Sequence, residues 1–111
     1  MNYHNKTFRV LSNTENGEVS SSTVFHYRQE GQMLWADYSG GDVQKGFIIG
    51  IVNADGSLDF SYQHLNEQLE IRMGQCHSTP EVMPDGKLRL HETWQWLNGD
   101  CSKGESVIKE L

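Results

Sequence analysis

From Ser57 to His64 apolar and polar side chains alternate, with Leu58, Phe60 and Tyr62 on one side of an extended chain and Ser57, Asp59, Ser61 and Gln63 on the other. An extended backbone points successive side chains to opposite faces, so this period of two marks a strand with one face buried. Lys87 to Trp96 shows the same alternation: Leu88, Leu90, Trp94 and Trp96 share one face, and Lys87, Arg89, His91, Thr93 and Gln95 the other. Between such segments turn residues recur at Glu15-Asn16-Gly17, Glu30-Gly31-Gln32, Gly40-Gly41-Asp42, Asn53-Ala54-Asp55-Gly56, Asn66-Glu67-Gln68, Pro84-Asp85-Gly86 and Asn98-Gly99-Asp100. A spacing of roughly 8 to 12 residues is that of an all-β domain, and glycine or asparagine supplies the positive φ of a tight hairpin.

The pattern predicts about eight strands, at 6–13, 18–28, 33–39, 43–52, 57–65, 69–78, 87–97 and 104–110, with no long helix. Gly104 to Leu111 reads as a closing strand in preference to a single helical turn. Val52 to Phe60 and Val82 to Leu90 match after a thirty-residue shift, which reflects two Asp-Gly hairpins of one design rather than a solenoid repeat. A meander of this kind leaves two open edges unless its first and last strands pair. The expected fold is therefore an antiparallel meander closed into a small lipocalin-like, calycin-like barrel, wide enough to be filled by side chains or to hold one small ligand. An open sheet packed face to face in a dimer is the alternative.

A length of 111 residues fits a single domain over 1–111 with its own core. Nine Lys and Arg against fifteen Asp and Glu give a net charge of −6, which opposes a nucleic-acid partner. The longest apolar run, Phe47 to Val52, is too short to span a bilayer, and Met1 to Thr7 holds no apolar stretch of signal-peptide length. The expected setting is cytoplasmic, without a membrane partner, as a monomer or homodimer. There Cys76 and Cys101 are expected to be free thiols.

One residue breaks the barrel pattern. Glu92 stands in register with Leu88, Leu90, Trp94 and Trp96, so its carboxylate points to the apolar face. Burial there raises its pKa or demands a partner, and both are frequent at binding and catalytic sites. His64 continues the Leu58-Phe60-Tyr62 face to the strand end, where the barrel rim is expected. Near Glu92 it would make an acid/base or ligand-anchoring pair, but the sequence leaves their proximity open. Tyr62, Trp94, Trp96 and Tyr27 are candidates to line a cavity and orient a ligand with their polar tips.

Cys76-His77-Ser78-Thr79-Pro80-Glu81 gathers reactive groups where a strand is expected to run into a turn, yet neighbouring Cys76 and His77 point to opposite faces. No metal site is expected from it. Ser39-Gly40-Gly41-Asp42 lacks the following helix that would cradle a phosphate, and no Walker, G-x-S-x-G or H-E-x-x-H pattern is present, so no cofactor is expected.

The stretches Cys76 to Glu81, Asp85 to Trp96 and Asp100 to Ser106, with Asn16 to Ser21 and Phe25-His26-Tyr27, resemble a group of uncharacterised bacterial proteins of roughly this length, some labelled N-acetylglutamate synthase. The resemblance implies a bacterial cytosolic β-protein and carries over no catalytic residue. Acetyltransferases of the usual fold set helices beside their sheet and hold acetyl-CoA at a glycine-containing loop opening a helix, and this chain has no such pattern.

Three functions follow. The first is a barrel binding a small apolar or amphipathic ligand, with Glu92, His64 and Tyr62 as orienting groups. The second is an enzyme using Glu92 as general acid or base, assisted by His64 or His77. The third is an interaction module, which an apolar patch outside the barrel would reveal.

Overall fold

The computed structural model describes residues 1–111. Its eight strands are β1 (Lys6–Asn13), β2 (Val24–Glu30), β3 (Met33–Gly40), β4 (Val43–Val52), β5 (Leu58–Asn66), β6 (Ile71–Val82), β7 (Leu88–Trp96) and β8 (Lys103–Glu110). Each pairs antiparallel with the next, and β1 pairs with β8 from Phe8↔Glu110 to Asn13↔Ser106, so the sheet closes into a barrel. Of 70 backbone hydrogen bonds 54 lie within the strands, so the barrel wall itself satisfies most of the backbone.

The thirty-residue repeat is a repeated hairpin. In one copy Gly56 (φ 88°) donates its N–H to Asn53 and Asp55 Oδ1 accepts from the Ser57 N–H at 2.9 Å. In the other, Gly86 (φ 85°) donates to Met83 and Asp85 Oδ1 accepts from the Lys87 N–H at 2.9 Å. Both loops therefore start their next strand with the same Asp-to-backbone clasp.

Two boundaries differ from the sequence reading. The expected strand 18–28 begins only at Val24: residues 14–23 form a long β1–β2 loop, in which Thr23 N–H donates to the Ser20 carbonyl and Ser20 N–H to Thr23 Oγ1. These local bonds use backbone groups that a strand would have offered to a neighbour. Strand β6 in turn runs on to Val82, so Ser78-Thr79-Pro80-Glu81 is strand and not turn. Its pairing with β5 stops at Leu58↔Ser78 while its pairing with β7 continues to Val82↔Leu88. Pro80 thus sits where one flank of β6 has no neighbour, and its missing N–H costs no ladder bond.

The two ends of the barrel differ. At one end the segment before β1 folds inward: Tyr3 is fully buried, its hydroxyl donates to the Gly56 carbonyl at 2.5 Å, and its ring meets Tyr27. Phe8, Leu34, Leu58 and Leu90, all 0% exposed, complete this apolar plug. The other end carries the β1–β2, β3–β4, β5–β6 and β7–β8 loops.

Candidate functional site

The inner face of the wall alternates large and small residues in a specific way. Gly46, Gly50, Gly74 and Gly104 stand directly across the strand pairing from Tyr38, Phe60, Tyr62 and Trp94. A Cβ on Gly46, Gly74 or Gly104 would collide with the ring of Tyr38, Tyr62 or Trp94, so these three rings lie over bare backbone, whereas a Cβ on Gly50 would meet the Asp59 carbonyl and the backbone and Cβ of Phe60. Rings laid along the wall do not fill the lumen. What remains toward the loop-bearing end is a small cavity with a free volume of about 50 Å³ that opens at its mouth.

Phe25, Ile48, Phe60, Tyr62, Trp94 and Trp96 supply its apolar lining, and Glu92, Cys76, Ser106 and Asn13 its polar one. Asn13 enters because the β1–β8 register shifts between Val10 and Ser12, and this bulge turns the next side chain from the outer to the inner face. Its Oδ1 is buried without a hydrogen-bond partner.

Glu92 is 9% exposed and accepts a hydrogen bond from Ser106 Oγ at 3.0 Å. Burial pushes its carboxyl up to about 7, held back by the hydroxyls of Ser106 and Ser78 and the Cys76 thiol. Burial likewise raises the Cys76 thiol and the phenols of Tyr38 and Tyr62, so none of these ionises near neutrality.

His64 is not at an exposed rim: it is 3% exposed, inside the mouth, because the β1–β2 loop folds over it. Its Nδ1 lies 2.7 Å from Tyr38 Oη and its Nε2 2.8 Å from Glu18 Oε1. Burial lowers its pKa, and the Glu18 hydrogen bond offsets part of that. In the neutral ring a carboxylate can only accept, so Nε2–H donates to Glu18 and Nδ1 accepts from Tyr38 O–H. The second Glu18 oxygen accepts from Arg72 Nη1 at 2.8 Å and Asn66 Nδ2 at 3.3 Å. Arg72 stacks 4.1 Å from the centre of the Trp96 ring, whose Nε1–H donates to the Asn16 carbonyl. The loop is thereby pinned at Asn16 and Glu18.

Of the sequence candidates, Glu92, His64, Tyr62, Trp94 and Trp96 all line this one cavity. Tyr27 does not: it packs against Tyr3 and Phe8 in the closed end, and its hydroxyl has no hydrogen-bond partner. Glu92 and His64 share the cavity but no hydrogen bond, since His64 is committed to Tyr38 and Glu18. His77 is half exposed on the outer wall, 2.7 Å from Asp59. Cys76 and Cys101 are free, the first buried and the second exposed.

Glu18, Arg72 and Asn66 were not among the candidates. Arg72 carried a signal, since it shares the inward register of Gly74 and Cys76 along β6. Glu18 carried none, because its loop reads as strand.

A barrel of eight antiparallel strands with an aromatic-lined cavity at one end agrees with the family comparison, in which a model described as avidin-like protein matches residues 1–111. The chain belongs to the avidin-like protein family. No curated protein and no solved structure matches it. The lipocalin-like expectation is met at the level of architecture, the avidin-like barrel being of the calycin type.

The outer wall of this avidin-like barrel carries an apolar patch. Met33 faces Ile51 and Trp35 faces Ile49 across β3 and β4, with Phe47 beside them, and Phe47, Ile49 and Ile51 are each more than half exposed. This is the feature expected of an interaction module, and nothing in the structure shows what covers it.

Proposed function

We propose that this avidin-like chain binds one small, largely apolar or amphipathic molecule in the cavity beneath the β1–β2 loop. The observation that carries the reading is the inner wall: the rings of Tyr38, Tyr62 and Trp94 rest on Gly46, Gly74 and Gly104 and so line a space instead of filling it. Eight-stranded barrels have the width for one small ligand, streptavidin among them. The few polar groups are placed as binding pockets place them. Asn13 Oδ1 offers an unused acceptor, and Glu92, with its proton held to about pH 7, offers either a donor or an acceptor to a polar group of the ligand.

Acid–base catalysis has less support. Glu92 is hydrogen-bonded to Ser106, His64 to Tyr38 and Glu18, and His77 stands outside the barrel. No imidazole is poised against the carboxyl.

Native mass spectrometry of the protein purified from its host without denaturant is expected to show a retained small molecule. Removing that molecule should change the fluorescence of Trp94 and Trp96, which line the cavity, and adding it back should restore the signal in one-to-one proportion. Protein that emerges empty, and whose tryptophan emission responds to no member of a library of small aromatic and aliphatic compounds, would overturn the reading.

A further inference from the structure

We propose that Glu18 is an internal stand-in for a ligand carboxylate, so that the cavity takes amphipathic carboxylic acids whose acid group displaces Glu18 at the mouth. The inference rests on the cavity reading above and names its ligand class. Three donors from the barrel wall converge on the Glu18 carboxylate: His64 Nε2 and Arg72 Nη1, each at 2.8 Å, and Asn66 Nδ2 at 3.3 Å. They lie on β5 and β6, whereas Glu18 comes from the loop and is separated from them by 46 to 54 residues of chain.

A wall that only needed covering could have been covered by an apolar loop residue. Instead it presents His64 and Arg72, both directed at the Glu18 carboxylate, with Asn66 Nδ2 shared between Glu18 at 3.3 Å and Glu70 Oε1 at 3.0 Å. The set also exceeds what Glu18 uses. Glu18 engages Arg72 through Nη1 alone, although a guanidinium can grip a carboxylate through two parallel N–H donors. The guanidinium plane is held against Trp96, which fixes the direction of the fork.

The stand-in is removable. The Glu18 side chain is 19% exposed, against 1% for His64, so the carboxylate can swing to water while its acceptors' partners stay in the wall. Directly below it lie Tyr62, Trp94 and Trp96, which would hold the apolar body of a molecule whose acid group sat between Arg72 and His64. The loop remains tied at Asn16 by Trp96 and Ser102 when Glu18 is displaced, so exchange of one carboxylate for another does not require the loop to unfold.

The test uses the full chain as wild type and Glu18→Ala, with acetate, phenylbutyrate and phenylbutyramide as probes, read by thermal shift and by tryptophan fluorescence. Glu18→Ala vacates the donor set, and acetate is expected to stabilise this variant but not the wild type. Phenylbutyrate is expected to bind Glu18→Ala about tenfold more tightly than it binds wild type and about tenfold more tightly than the amide does, as fits a charge-assisted contact. Glu18→Gln, which keeps the side chain's shape, repeats the comparison if the alanine variant is poorly folded.

Equal binding of phenylbutyrate and phenylbutyramide to both proteins would overturn the proposal and leave the cavity reading standing. Stabilisation by acetate with no gain from the phenyl group would overturn the cavity reading instead and leave the carboxylate subsite. Absence of binding by either carboxylate to either variant would overturn the proposal.

Discussion

The ring of Tyr62 lies over Gly74, its partner across β5 and β6, in the space that a side chain on residue 74 would occupy. Because that contact decides whether the ring lines the wall or enters the lumen, Gly74→Ala should cost about 1–3 kcal/mol by overpacking. It should also push Tyr62 into the cavity and weaken ligand binding. Gly31→Ala is the control: Gly31 has φ 58° and open space around it, so only backbone strain of about 1–2 kcal/mol is expected, with the cavity unchanged. Melting curves together with a binding titration separate the two outcomes. Loss of stability without loss of binding in Gly74→Ala would contradict the role assigned to the ring.

Glu92 gives the barrel a distinctive pH dependence. In the folded protein it keeps its proton to about pH 7, against 4.5 for the ordinary carboxyl. Between those values the unfolded chain binds fewer protons than the native one, so this group's contribution to stability falls as pH rises through the window and is level on either side. At about 1.4 kcal/mol per pH unit the total loss is about 3 kcal/mol. The stability difference between wild type and Glu92→Gln, measured by denaturant unfolding at about pH 4.5 and pH 8, should move by that amount in favour of the variant at the higher pH. A difference that stays constant would show that Glu92 titrates normally.

His64 acts in the opposite direction. Burial holds its folded pKa below the ordinary 6.5, so protons are taken up preferentially by the unfolded chain and stability is lost as pH falls below 6.5. Proton NMR of the imidazole should give a midpoint under 6.5, and His64→Gln should lessen the acid sensitivity. A midpoint above 6.5 would mean that Glu18 outweighs burial.

The loop over the mouth hangs partly on Trp96. Replacing it with Phe removes the donor to the Asn16 carbonyl, at a cost of about 1–2 kcal/mol. A glutamate-specific protease should then cut after Glu15 and Glu18 faster than in wild type, both residues lying in the 14–23 loop. Unchanged cleavage would show that the Glu18 contacts alone hold the loop.

Most of the fold was legible because its causes are local. Leu58, Phe60 and Tyr62 alternate with polar residues for the same reason that they form one wall of the barrel, and Asp55-Gly56 and Asp85-Gly86 build their turns from atoms within a few residues. The expected strand 18–28 began too early because the hydroxyls of Ser20 to Thr23 satisfy the backbone of a loop, and the expected strand 69–78 stopped too soon because β6 keeps pairing with β7 as far as Val82.

The candidate site was legible only in half. Glu92, His64, Tyr62, Trp94 and Trp96 stood out because each carries its inward direction in the period-two pattern of its own strand. Glu18 has no such marker, Asn13 points inward only through a bulge, and Tyr27 was misassigned because strand parity tells inside from outside but not one end of the barrel from the other.

By itself, then, the sequence determined eight strands, their inner faces and the anomaly of Glu92, since alternation and turn chemistry act over a handful of residues. Only the tertiary structure decided that β1 meets β8, that three glycines lie beneath three aromatic rings, and that Glu18 reaches Arg72 across 54 residues of chain. Those pairings depend on register and closure, which arise when the whole sheet is assembled and leave no trace in any short stretch of the chain.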